Sequence, residues 1–418
     1  MDPGRSWGCG DCRASQSLVD GWSASRACWG REVSTVSGSS VVGTSQPGRI
    51  AVVVPSLTGG GAEGVARAWA TALGNEGKSV DVLLTHSNSG SHQVANVRLV
   101  SGQSESAVRR IVLLRRHIRD GRYQTVFSVM TFTNLIVLLA VMALPRDDRP
   151  KVVISEHNLH TRLAKIYGVR FRIQMVLCRI FYRTASAWIA VSHAVASEMC
   201  AIYKLPPDSM WIVLNPMEKE SPRQPVAQQK AIRETKELQI VFAGRLVPQK
   251  NPFLLIEIAK LAKLDGRLPV INFIGDGPLT PQLEQMCAQA GVPCKFYGWV
   301  DDWTLACPAR GVLVLTSLFE GLGNVLIEAA FAGVPAVVSD RALGSADACI
   351  PGVTAGIASD YSPLSFYMAL CDAEDMDVTG IDEWLNQFTL KAAGSRLSNI
   401  MESLTPDLAE AHAHGRRP

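Results

Sequence analysis

Residues 312–340 read VLVLTSLFEGLGNVLIEAAFAGVPAVVSD. A strand-like run ends at Thr316-Ser317, and the loop Glu320-Gly321-Leu322-Gly323 follows. A helix is expected to open at Asn324 and Val325 and to stop at Gly333, with Pro335 preventing its return. Such a loop presents free backbone N–H groups and a helix N-terminus, which together favour an anion. Glu320 is expected to project into a cleft. Glu328, eight residues on, lies about two helical turns further. A carboxylate there can accept hydrogen bonds from vicinal sugar hydroxyls. The plainer alternative is a pair of solvated helix carboxylates.

A second segment, IVFAGRLVPQKNP (residues 240–252), ends a strand at Gly244 and is expected to open a helix with Asn251 as N-cap and Pro252 in the first turn. Arg245 and Lys250 lie on the loop between. Two cations beside a helix N-terminus suit a diphosphate. Residues 155–158, Ser-Glu-His-Asn, follow the strand KVVIS, where a polar cluster is placed for ligand contact. His157 there can address a sugar hydroxyl or serve only the core. Gly59-Gly60-Gly61 permits close backbone approach but lacks the spacing of a dinucleotide or P-loop motif. Gly275-Asp276-Gly277-Pro278 reads as a tight turn or a ligand loop.

These segments sit at the joints of a regular alternation. Short β-branched runs near 50–55, 80–85, 124–129, 151–155, 188–192 and 210–214 alternate with helical stretches near 62–74, 105–120, 133–143, 160–184 and 193–203. A polar, Pro-interrupted stretch then acts as a linker. A second series follows, with strands near 239–243, 270–274, 294–297, 312–316 and 335–338 and helices near 252–265, 279–290, 324–332 and 363–372. The expectation is an α/β chain of two Rossmann-like, doubly wound domains facing an interdomain cleft. Its divisions are residues 1–47, an extension without periodicity; 48–215, the acceptor domain; 216–237, the linker; 238–385, the donor-nucleotide domain; 386–404, a C-terminal helix; and 405–418, a tail.

Composition is consistent with this. The chain has 418 residues, 47% hydrophobic and 19% charged, which excludes a disordered protein and exceeds a single small core. Ten cysteines at this length are not a disulfide scaffold, and the lone Cys9-Cys12 pair has no second pair to complete a zinc site. The longest apolar run, Leu135 to Leu144, is half of what a spanning helix needs. The first thirty residues contain no signal-like apolar stretch. The expected location is cytoplasmic.

The motifs, taken in order, resemble the retaining GT-B glycosyltransferases of family 4, also called glycosyl transferases group 1. Carrying the resemblance are Gly59 to Glu63, the strand-end His157, Gly244-Arg245-Leu246 through Lys250-Asn251, Gly275 to Pro278, Tyr297-Gly298-Trp299-Val300, and Glu320 with Glu328. It extends from about Ile50 to Leu404. Leu322 stands where that family has Phe, Asn324 where an apolar residue is common, and RALGSADACIPGVTAGI after Asp340 lacks the usual Gly-Gly and acidic pattern. The resemblance implies transfer of a sugar, with retention, from a uridine or guanosine diphosphate donor, without a metal or other cofactor. Arg245 and Lys250 would stabilise the departing diphosphate, Glu328 would hold the ribose, and Glu320 and His157 would contact the sugar. Gly60, Gly61, Gly244, Gly275, Gly277, Gly321, Gly323, Asn324 and Val325 would line the donor site. No pair of carboxylates is placed for a double displacement, so front-face attack is expected, the leaving phosphate taking the acceptor proton.

Net charge is +3, yet residues 48–215 carry 20 Lys and Arg against 10 Asp and Glu, and residues 216–418 carry 17 against 24. In the basic half, Arg109, Arg110, Arg115, Arg116 and Arg119 alternate with apolar residues, as do Arg170, Arg172, Arg179 and Arg183. Basic helices with apolar residues suit an anionic membrane surface; the alternative is that their apolar residues pack on the sheet. The expected acceptor is a glycan, polyprenyl-linked, in surface polysaccharide or glycolipid synthesis. Nucleic acid is not an expected partner. The competing readings are a non-catalytic sugar-nucleotide-binding partner and a sugar-nucleotide epimerase on the same fold.

Overall fold

A computed structural model describes residues 48–57, 61–86, 96–101, 105–218 and 236–405. The readings of residues 1–47, of Gly59 and Gly60, of most of the linker and of the tail after 405 lie outside the described residues.

Strand β1 (Ile50–Val54) is buried at every position, as are β2 (Val80–Leu84), β4 (Thr125–Val129) and β6 (Ala187–Ala190). Strands covered on both faces need continuous apolar runs rather than alternation. With β3 (Val97–Leu99), β5 (Lys151–Glu156) and β7 (Met210–Ile212) they form one parallel sheet in the order β3-β2-β1-β4-β5-β6-β7. Helices α1 (Ala62–Asn75), α2 (Ala107–Gly121), α3 (Thr131–Met142), α4 (His160–Phe181) and α5 (His193–Tyr203) connect its strands.

The second sheet is also parallel, in the order β10-β9-β8-β11-β12-β13. Its strands are β8 (Glu237–Ala243), β9 (Leu268–Ile274), β10 (Cys294–Gly298), β11 (Val312–Leu315), β12 (Ala336–Ser339) and β13 (Ala355–Ala358). Its helices are α6 (Leu254–Leu264), α7 (Thr280–Ala290), α8 (Trp303–Ala306), α9 (Asn324–Ala332), α10 (Pro363–Ala373) and α11 (Asp382–Leu385). In both sheets the strand order reverses beside the first strand, at β1/β4 and at β8/β11, the place where open α/β sheets open a crevice.

Three features depart from the sequence reading. Strands β3 and β13 are short pieces, VRL and AGIA, without a readable pattern. Helix α6 begins at Leu254, not at Pro252, and Asn251 is not its N-cap. Pro248–Lys250 form a 3-10 turn that leaves Asn251 left-handed at φ 43°, and its side-chain amide donates to Tyr361 Oη at 2.9 Å. Finally, α12 (Leu390–Ser403) returns to the first domain. Its Leu397 and Ile400 join Trp69 and Leu73 in that domain's core, and Ser398 donates to Glu76. The outgoing and returning chains run side by side, Met217 N donating to Phe388 O at 2.8 Å.

Helix α4 is broken at Gly168, whose backbone stands at φ 62°, ψ −141°. Phe171, Cys178 and Tyr182 are buried beneath it. On the opposite side Val169, Ile173, Val176 and Ile180 are exposed, at 71%, 57%, 60% and 57%. Their spacing makes one outward stripe, flanked by exposed Arg170, Arg172, Arg179 and Arg183. These apolar residues therefore do not pack on the sheet. No helix among the described residues is long and apolar enough to cross a membrane.

Candidate active site at the facing strand ends

The loops after β8 and β11 are tied to each other before any side chain reaches the cleft. Leu318 N donates to Gln249 O at 2.9 Å, Gln249 Nε2 to Phe319 O at 3.2 Å, and Thr316 Oγ1 to Lys250 O at 2.8 Å. Tyr361, after β13, clamps the same point by donating to Thr316 O. Two strand-end loops that satisfy each other's backbone groups form a firm base, and on it stand Lys250 and Glu320.

Lys250 Nζ lies 2.6 Å from Glu320 Oε1, and Glu320 is only 7% exposed. Glu320 is thus paired with the expected phosphate cation rather than projecting alone. Arg245 is exposed, and its guanidinium has no hydrogen-bond or ion-pair partner among the described residues. Glu328 is partly buried on α9, and Trp303 Nε1 donates to its Oε2 at 2.6 Å. Burial raises its carboxyl above the usual range, with the Trp303 hydrogen bond and Lys250 pulling the other way. It is not a solvated helix carboxylate.

The expected glycines divide by cause. Gly321 is where the domains meet: a Cβ there would collide with the carbonyl oxygen of His157, and Gly344 is pressed in turn against the carbonyls of Glu320 and Gly321. Gly275, at φ 137°, lies against the carbonyl of Gly244, and Gly277 lies against that of Leu246. Leu246 N donates to Asp276 O at 2.9 Å, so backbone packing between two strand-end loops already requires these glycines. Gly61 precedes α1 and Gly323 precedes α9, both with positive φ. Asn324 and Val325 open α9 and are partly exposed.

His157 sits at the end of β5 with Nε2 2.9 Å from Ser155 Oγ and its ring 6.1 Å from that of the fully buried Trp69. Its Nδ1 is buried without a hydrogen-bond partner among the described residues. Burial lowers its pKa to about 4, against a smaller opposing pull from Glu156, so the ring is neutral at pH 7. The adjacent Glu156 belongs to a separate buried network. It accepts from Thr131 and Asn134 at 3.0 Å and from Tyr182, and pairs with His160 at 2.9 Å.

Two further contacts cross the cleft and were not singled out in the sequence. His193, first residue of α5, donates its backbone N–H to Asp347 Oδ2 at 2.7 Å, and its ring Nδ1 lies 2.6 Å from Oδ1. This hydrogen bond raises the His193 pKa, against partial burial. Asp347 is the one carboxylate in residues 341–357, the stretch that lacks the family's usual acidic pattern. Asn215 Nδ2 donates to Asn324 Oδ1 at 2.6 Å. Both first-domain partners stand at strand ends, Ser192-His193 after β6 and Asn215-Pro216 after β7, a positional signal the sequence carried. Trp303 had no such signal. Among the described residues no group of three or more His, Cys, Asp or Glu is placed to hold a metal ion.

Residues 59–220 match the family described as Glycosyltransferase Family 4, and residues 224–374 match Glycosyl transferases group 1. An uncharacterized glycosyltransferase of Methanocaldococcus jannaschii is 32% identical over 163 residues, 36% of this chain and 41% of that protein's length. An alpha-1,4-N-acetyl-D-galactosaminyltransferase of Campylobacter jejuni, named for a PP-undecaprenol-linked substrate, is 24% identical over 314 residues, 72% of this chain and 81% of that one. Among solved structures, Anabaena HepE in complex with UDP and glucose superposes with a TM-score of 0.66 at 16% identity, over 85% of this chain and all of that one. The two family matches fall on the two domains built above, and the chain belongs to the GT-B glycosyltransferases of family 4.

Proposed function

We propose that this protein transfers a sugar, with retention, from a uridine or guanosine diphosphate donor to a lipid-linked glycan at an anionic membrane surface. The carrying observation is the cluster at the β8/β11 switch point. Exposed Arg245, the Lys250–Glu320 pair and the N-terminus of α9 share one hydrogen-bonded base. In this reading the diphosphate takes Lys250 from Glu320, which is freed to accept from a sugar hydroxyl. Arg245, Lys250 and the α9 N–H groups meet the charge that develops on the leaving oxygen, with no metal invoked. Glu328 accepts from the ribose. In this reading His157 contributes from the first domain as a neutral ring beside Gly321. The acceptor then attacks from the front face, the leaving phosphate taking its proton, and no carboxylate nucleophile is invoked.

The acceptor reading rests on the outward stripe of α4 and its flanking arginines, together with the lipid-linked substrate in the name of the C. jejuni relative. Both support polysaccharide or glycolipid synthesis at a membrane surface. Thermal shift with UDP and GDP tests the donor class, since a ligand of the native state raises apparent stability. Incubation with a panel of sugar nucleotides and a polyprenyl-diphosphate glycan, with the new anomeric centre read by NMR, then tests the transfer. An inverted product would overturn the mechanism, and no stabilisation by either diphosphate would overturn the site.

A further inference from the structure

Asn215 is 5% exposed and lies where the chain leaves the first sheet, just beyond β7. Its side chain crosses to the other domain and donates to Asn324 Oδ1 at 2.6 Å. Its own Oδ1 is buried without a hydrogen-bond partner among the described residues. A buried amide that leaves one atom unsatisfied carries a desolvation cost, so the orientation calls for another reason.

That reason lies in the geometry of Asn324. A carboxamide is planar, with oxygen and nitrogen on opposite sides of its axis. Holding Asn324 Oδ1 against Asn215 turns Asn324 Nδ2 the other way, and this nitrogen has no protein partner among the described residues. Asn324 opens α9, which has no side-chain cap from Gly323. The free N–H of the amide therefore joins the free backbone N–H groups of the first helical turn. Without Asn215 the carboxamide can rotate and offer its oxygen, an acceptor, to the same anion.

We infer that Asn215 is a positioning residue: it fixes the Asn324 carboxamide so that its N–H points toward the terminal phosphate of the departing nucleoside diphosphate. The bond joins the two domains, so this donor is set only when they are together. The inference rests on the donor-site reading above and adds a residue from the opposite domain to it.

The test uses the full chain and four probes, UDP, UMP, GDP and GMP, with transfer kinetics on the accepted donor. Asn215→Ala is expected to lower kcat by about 10²-fold, the lower end of the range for a lost oxyanion donor, with a smaller change in donor KM. It should also narrow the preference for diphosphate over monophosphate by about tenfold. A residue that merely braced the fold would lower the thermal midpoint without narrowing that preference. Asn324→Asp keeps an acceptor for Asn215 but replaces the N–H by a carboxylate oxygen; it should narrow the preference at least as much, with the midpoint little changed. If both variants keep the wild-type diphosphate preference and kcat, the inference is overturned while the donor site stands. If wild type shows no diphosphate preference, the donor-site reading itself fails.

Discussion

Lys250 is bonded to Glu320 at 2.6 Å, so removing the cation has two effects at once. It takes a donor from the leaving diphosphate and leaves a carboxylate, 7% exposed, without its partner. Lys250→Ala is expected to lower kcat/KM by about 10²- to 10³-fold and also to lower the thermal midpoint. Restoring the midpoint with Lys250→Ala plus Glu320→Gln, without restoring activity, would separate the two. At His157 the prediction concerns pH. Its pKa falls from 6.5 to about 4 on folding, so the unfolded chain binds this proton more readily than the native one. The stability it contributes is full above pH 6.5 and is lost as pH falls toward about 4. His157→Gln should flatten the midpoint-versus-pH curve across that window; an unchanged slope would contradict the buried neutral ring. Arg245, Lys250 and Glu320 could be picked out because strand-to-helix joints mark them, and Glu328 by its spacing of eight residues from Glu320. Their partners were not: Trp303 and Tyr361 reach the site from other elements, and no local spacing announces such contacts.

At the level of elements, the loop after β11 is held between two backbones. The His157 carbonyl lies on one side of Gly321 and Gly344 on the other. A single methyl at Gly321 would push the domains apart or displace α9, and packed interiors do not absorb such overlap cheaply. Gly321→Ala should reduce kcat/KM by about 10²-fold or more, the scale of a misplacement near 1 Å. Both sheets should stay folded by circular dichroism. Wild-type turnover in that variant would mean the contact is not kept during catalysis. The long buried strands were readable from continuous β-branched runs such as IAVVV. The three-residue β3 and the Gly- and Ala-rich β13 were not, because strands that short take their conformation from a neighbour's hydrogen bonds.

For the molecule as a whole, two faces matter beyond the cleft. The outward stripe of α4 should bind anionic vesicles: phosphatidylglycerol liposomes at low salt should float the protein, and the paired change Ile173→Ser and Ile180→Ser should abolish this. Both side chains are 57% exposed, so the thermal midpoint should hardly move. Flotation unaffected by the pair would remove α4 from the membrane reading. Helix α12 returns to close the first domain's core, with Leu397 and Ile400 fully buried against Trp69 and Leu73. Leu397→Ala should cost about 2–5 kcal/mol, read by urea unfolding, although the residue lies 160 positions past Glu237, where β8 begins the second domain. A near-neutral change would mean this helix is not part of that core.

The amino-acid sequence alone determined the two alternating α/β series, the basic first half, and the charged and glycine-containing loops at the strand ends. These follow from local periodicity, from turn chemistry and from residue counts. Tertiary structure decided what the loops face. It paired Lys250 with Glu320, aimed Asp347 at His193 and Asn215 at Asn324, and turned the apolar stripe of α4 outward. Each of those depends on two segments far apart in the chain arriving at one point, and only the packing of both sheets fixes where that point is.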